Sequence, residues 1–213
     1  MKSEEEADLI RNTYERALKF QEYILRRAWG IYYALWAAII SSYAAMPDII
    51  PLVYPSAPGY VYFLFYSIVS FFGTLLTARI FSVARRTLEL RLAASGKRKG
   101  SPYRGLLLMW LVIFAAFAVA AFASESAFIA TYIAFLTFID VYIYRALRLS
   151  FPKMPPEGYV ALGTYTFSIP ILALSFLHVL PSLSMTASTA VIVAGWIFSA
   201  IYALYHAPEA MVE

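Results

Sequence analysis

A single carboxylate, Asp140, interrupts the apolar run 127–144. An ionisable group inside a span costs about 2.5–3.5 kcal/mol on insertion scales when central, so it requires a partner or a task. Thr137 and Tyr144 share its helix face by three- and four-residue spacing, whereas Arg145, five residues on, points elsewhere. Arg79 ends another apolar run, and its long side chain can reach back toward the interior. Counting along the helices sets Tyr165 and Ser168 in the same half of the membrane. Asp140, Arg79, Thr137, Tyr144, Tyr165 and Ser168 therefore form a candidate polar site. Its chemistry would be a carboxylate holding a cation, a proton or the cationic part of a substrate, with hydroxyls completing the shell. The competing reading is an Asp that hydrogen-bonds or ion-pairs between helices and locks them together.

Other chemistries fail on inventory. The chain has no Cys, which removes disulfides, thiolate nucleophiles and iron–sulfur clusters. One Asp within the apolar runs cannot supply an aspartic dyad, and no H-E-x-x-H, G-x-S-x-G or phosphate-loop sequence occurs. His178 and His206 fall a membrane thickness apart, about 30 Å, which excludes a haem held by both. His178 with Glu125 offers zinc two ligands, fewer than the usual three or four. The expectation is a non-enzymatic protein with no cofactor and no metal. A membrane enzyme acting on lipid or quinone through Tyr and Arg is the catalytic alternative.

The elements that position these residues follow from composition. Of 213 residues, 62% are apolar and 14% charged, well below the quarter or so that is charged in soluble domains. A span needs about 20 apolar residues. Six segments qualify: 28–46, 60–78, 106–123, 127–144, 159–180 and 185–205. Pro47 is expected to close the first, with Pro51, Pro55, Pro58 and Gly59 continuing an irregular outer connection. The turn at Ser124, Glu125 and Ser126 makes the third and fourth spans a hairpin. Pro170, inside the fifth, predicts a kink. Gly195, Ser199 and Ala203, four apart in the sixth, form a small-residue face suited to close packing. Trp29, Trp110 and Tyr205 fall where an aromatic belt would sit.

All 17 Lys and Arg residues lie in alternate connections of this threading. Because positive charge is retained in the cytoplasm, both termini should lie inside, in an all-α bundle of three antiparallel hairpins. The domain plan is a helix over 1–27, a bundle over 28–206 with a basic connection 85–104, and a tail over 207–213. Residues 1–27 lack the pattern of a cleaved leader, so the first span should serve as its own insertion signal. Asn12 and Gln21 are the only amides, a depletion that points to a thermophilic prokaryote and its cytoplasmic membrane.

Ser3 and Glu6 have capping-box spacing, so a helix should start there and run into the first span, either projecting or bending near Arg26 onto the headgroups. Glu15–Lys19 and Glu22–Arg26 are expected ion pairs along it. The second span should continue past Arg79 until Gly96. Arg85, Arg86, Arg91, Lys97, Arg98, Lys99 and Arg104 then form a basic surface for anionic headgroups or a protein partner. No basic nucleic-acid-binding fold accompanies this charge, so no nucleic acid is expected. The layout is similar to that of permease subunits of ATP-driven transporters and of small solute-binding membrane modules, an analogy of fold alone. The resulting expectation is a membrane subunit that docks a partner through its basic side. The alternative is a self-contained carrier or channel built around Asp140.

Overall fold

A computed structural model describes residues 2–94, 123–151, 153–177 and 181–212, with isolated helical positions between 112 and 119. All its regular structure is helical: α1 (Lys2–Val53), α2 (Gly59–Ala94), α3 (Glu125–Ser150), α4 (Pro156–Phe176), α5 (Pro181–His206) and the short α6 (Glu209–Val212). Four stretches are long and apolar enough to cross a membrane: Arg11–Val53, Gly59–Ser82, Ser126–Ser150 and Met185–Met211. They coincide with the first, second, fourth and sixth expected spans. The expected third span, 106–123, lies almost wholly outside the described residues. The expected fifth corresponds to α4, a helix of 21 residues that runs through Pro170 and is not one of the four.

α1 is a single helix of 52 residues, about 78 Å at 1.5 Å per residue. It does not break near Arg26, and it does not stop at Pro47. Proline lacks the N–H that would bond the carbonyl four residues back, here that of Tyr43. The Tyr66 hydroxyl of α2 donates to that carbonyl at 3.4 Å, while the Tyr43 hydroxyl donates to the Tyr66 carbonyl at 3.2 Å. This exchange supplies the missing donor from outside the helix, so α1 continues through Pro51 to Val53 and the expected irregular connection shrinks to 54–58. α2 runs past Arg79 to Ala94, as its sequence predicts.

The main contacts place the helices side by side in the order α2, α1, α5, α4, α3, with α4 on α5 the most extensive. Each neighbour runs antiparallel to the next. Trp36 Nε1 donates to Thr77 at 2.9 Å, and Tyr43 meets Ser70, which sets the α1–α2 register. The small face of α5 points inward as expected. Ser199 and Ala203 are fully buried. A Cβ on Gly195 would sit 2.0 Å from Thr164 Cγ2, and one on Gly30 would sit 2.8 Å from Leu204 Cγ. The backbones of α1, α4 and α5 thus approach closely only where these residues lack a side chain. Outward positions such as Phe71, Phe72, Leu75 and Leu76 are large, apolar and exposed, the signature of a surface solvated by lipid.

Gly195→Ala should lose about 1–3 kcal/mol to overpacking against Thr164, offset by at most about 1 kcal/mol of helix propensity. The double variant Gly195→Ala/Thr164→Ser removes the clashing methyl and leaves the nearest Thr164 atom, Cβ, at 3.4 Å. Thermal unfolding in detergent should place the double variant above the single.

Candidate functional site

The most strongly bonded polar group of the described bundle begins with two prolines. Pro156 opens α4, where a missing N–H costs nothing, and Glu157 follows in the first turn, where the helix dipole favours a carboxylate. The Gly158 N–H donates to the Pro155 carbonyl at 2.9 Å. Phe151 and Met154, in the α3–α4 connection, are buried, and the space at Gly158 is tight: a Cβ there would meet Leu147 at 3.1 Å and Met154 at 3.3 Å. This tight reversal aims Glu157 into the bundle, where its side chain is 1% exposed.

Arg26 of α1 meets it as a fork, Nε donating to Oε1 at 2.8 Å and one terminal nitrogen to Oε2 at 3.3 Å. Two-point pairing of a guanidinium with a carboxylate is among the stronger polar contacts. The other terminal nitrogen of Arg26 donates to the His206 carbonyl at 3.5 Å, satisfying one of the orphaned acceptors at the end of α5. Ser199 Oγ donates to the Glu157 carbonyl at 3.0 Å. One cluster therefore ties α1, α4 and α5 together. Arg26 takes this partner in place of the Glu22 expected four residues earlier, and the exposed Glu15 pairs with Arg11 at 3.2 Å in place of Lys19. A buried carboxylate loses more on dehydration than an exposed one, so it takes the nearest guanidinium.

Beside the pair lies a cleft of about 370 Å³ lined by Lys19, Glu22, Arg26, Tyr202, His206, Glu209 and Ala210. His206 packs against Tyr202 at a tilt of 39° with ring centres 4.2 Å apart and bonds Glu209 through Nδ1. That bond anchors α6, which packs against α1. Both signs of charge line this cleft, so it is suited to a polar or zwitterionic group or a protein side chain. Among the described residues no three His, Cys, Asp or Glu side chains converge as metal ligands would.

The candidate residues around Asp140 are only partly brought together. Asp140 is half-buried and its Oδ1 has no hydrogen-bond partner. The Tyr165 hydroxyl lies within electrostatic range of it. Arg79 is exposed, and no ion pair joins it to Asp140 among the described residues. Thr137 is exposed and bonds the Ile133 carbonyl of its own helix. Tyr144 is exposed and accepts from Arg148 Nε at 3.2 Å. Ser168 is fully buried and donates to the Ser188 carbonyl across α4 and α5 at 3.3 Å. Of the basic docking set, Arg85, Arg86 and Arg91 belong to the far end of α2, while Lys97, Arg98, Lys99 and Arg104 lie outside the described residues. So do His178 and Trp110.

Two features escape sequence reasoning. Glu157 falls outside the expected fifth span, 159–180, although a Pro-Pro-Glu start to a helix marks a carboxylate held at its first turn. Trp29 is not a belt residue: it is 5% exposed. Its ring lies within 5.1–5.6 Å of Phe81, Tyr32 and Tyr33, and Trp196 adds contacts of 5.5 Å to Tyr33 and Tyr165. The four-residue stripe Gln21, Leu25, Trp29, Tyr33 and Ala37 was the available signal for this aromatic core.

No protein-family model matches the chain, and neither does any curated protein or solved structure. The site therefore stands on its own geometry.

Glu157→Gln, which strands the Arg26 guanidinium, should destabilise the folded protein by about 3–5 kcal/mol, and Arg26→Met should do the same by stranding the carboxylate. The double variant should recover most of that loss, since neither charge is then left alone. A double-mutant cycle from detergent unfolding would measure the coupling.

Proposed function

We propose that this protein is a non-enzymatic multi-pass subunit of a prokaryotic cytoplasmic membrane. Six spans form three antiparallel hairpins with both termini cytoplasmic. The subunit docks a protein partner, the energising component of a transport system or of a larger membrane complex, through residues 3–27 and 85–104. The observation that carries this reading is the length of α1. A span consumes about 20 of its 52 residues, so some 30, about 45 Å, extend beyond one bilayer crossing. α2 follows to Ala94 on the same side.

On that projection Leu9 and Phe20, eleven residues and three turns apart, share a side and are 67% and 50% exposed. An apolar face beside a basic segment is suited to a partner that offers an apolar groove with an acidic rim. Anionic headgroups serve the remaining basic residues nearer the bilayer.

Extraction from the native membrane in mild detergent, followed by mass spectrometry, should recover a stoichiometric partner. Charge reversal at Arg85, Arg86 and Arg91 should release it while the bundle stays folded. A clean monomer or homodimer that moves solute in vesicles would overturn the proposal. That result would favour the second reading, a small-solute or ion carrier at Asp140, which the unpartnered Oδ1 of that residue supports. Under that reading Asp140→Asn abolishes uptake without changing the elution profile or the thermal midpoint.

A further inference from the structure

The charges in the cleft beside Arg26 follow an order along the bundle axis. The apolar run of α1 ends at Arg26 and Arg27, and Arg26 stands at the level of the His206 carbonyl to which it donates. Glu22 lies one turn farther from the bilayer, about 6 Å along α1. Glu209 stands past the end of α5, on His206 Nδ1, and Lys19 forms the outer rim. Cationic donors thus face the bilayer end of the cleft, and carboxylates lie outward of them. Part of this charge has no use inside the protein. Neither Glu22 nor Lys19 makes an ion pair among the described residues. Arg26 carries five N–H donors, of which two go to Glu157 and one to the His206 carbonyl. The rest remain for a ligand, and Tyr202 adds a hydroxyl within electrostatic range of Arg26.

The volume, about 370 Å³, lies in the range of small-molecule sites, about 300–1,000 Å³. A simple anion placed there meets the carboxylates of Glu22 and Glu209, and a simple cation meets Lys19 and Arg26. A molecule that joins the two signs in the order of the cleft avoids both repulsions. One wall of the cleft also leads toward the bilayer. His206, Tyr202 and Phe198 recur every four residues on α5, with ring centres 4.2 Å and 6.2 Å apart. Phe198 and its neighbour Ile201 are exposed within the apolar run of that helix. The aromatic column therefore connects the charged mouth to a lipid-facing surface, and a lipid would use its whole length.

We propose that this cleft binds the headgroup of an aminophospholipid. The phosphodiester accepts from the free N–H groups of Arg26 and from the Tyr202 hydroxyl, the primary ammonium sits between Glu22 and Glu209, and an acyl chain follows Phe198 and Ile201. In such a lipid the phosphate adjoins the glycerol and the ammonium lies two carbons farther out, which is the order of charge in the cleft. A primary ammonium brings three N–H donors to the two carboxylates, whereas a trimethylated one brings none. This site goes beyond the docking function and does not rest on it, because α1, α5 and α6 of one chain build it.

Native mass spectrometry of the full chain tests the site, with the protein released from nanodiscs that hold equal amounts of phosphatidylethanolamine, phosphatidylcholine and phosphatidylglycerol. One phosphatidylethanolamine per chain should be retained about tenfold over either other lipid, the weight of one hydrogen bond to a charged group. Glu22 is exposed and makes no ion pair among the described residues, so Glu22→Gln should keep the elution profile and thermal midpoint. It should erase the preference for phosphatidylethanolamine without lowering the retention of phosphatidylglycerol. Equal retention of the three lipids by the parent chain, or a preference that survives in Glu22→Gln, would overturn the proposal. Neither outcome depends on a protein partner, since the purified chain and defined lipids suffice. Free glycerophosphoethanolamine separates the two sources of this chemistry. At millimolar concentration it should leave the lipid in place; displacement would overturn the lipid assignment and make the ligand a soluble zwitterion.

Discussion

Arg26 and Glu157 are the two opposite charges that this fold takes out of water together, and because each sits on a helix whose height is constrained by the bilayer, their meeting sets α1 against α4. The Glu157 side chain is almost completely enclosed, so the guanidinium takes the place of its water. The same guanidinium reaches the end of α5 through the His206 carbonyl, and Ser199 of α5 bonds the Glu157 backbone. Three helices that are far apart in sequence therefore share one anchor. Hydrophobic burial cannot supply this axial precision in a membrane, since lipid is as apolar as the core and an apolar face slides along another at little cost.

Above that anchor, close packing selects the neighbours. α5 presents Gly195, Ser199 and Ala203 to α4 and α1, and their small size lets Trp196 enter the space between Tyr32, Tyr33 and Tyr165. Aromatic rings in edge-to-face contact gain about 0.5–1.5 kcal/mol beyond their buried area, so the cluster adds to what the small residues permit. It also fills the interior with polar tips. The unpartnered indoles of Trp29 and Trp196 and the phenol of Tyr33 lie in this buried aromatic seam.

Much of the architecture was legible beforehand. Length and apolarity mark the helices, and uninterrupted periodicity predicts the extension of α1 and α2 beyond a single crossing. The small face of α5 reads directly from its four-residue spacing. Pro47 misleads because a proline's missing donor is a local fact, while the hydroxyl of Tyr66 that compensates for it comes from another helix. Trp29 misleads for a similar reason: a Trp near a span end serves an interfacial belt or a core according to what packs beside it, here Phe81 and Tyr33. The polar site was legible only in part. Asp140 stands out as a charge in an apolar run, but Thr137 and Tyr144 share its face only by local spacing, and both remain on the outside of the bundle.

Sequence alone determined that this is a helical chain for a lipid environment, where its long helices run, which residues are charged and how those charges alternate along the chain. These are local quantities, set by apolar run length, helical period and side-chain ionisation. The tertiary structure decided that Arg26 belongs to Glu157, that α1 lies against α5, and that Asp140 comes within electrostatic range of Tyr165 and forms no ion pair with Arg79 among the described residues. Those outcomes depend on lateral order and axial register, and neither is encoded in any one helix, because each follows from which backbones approach closely enough for distant polar groups to meet.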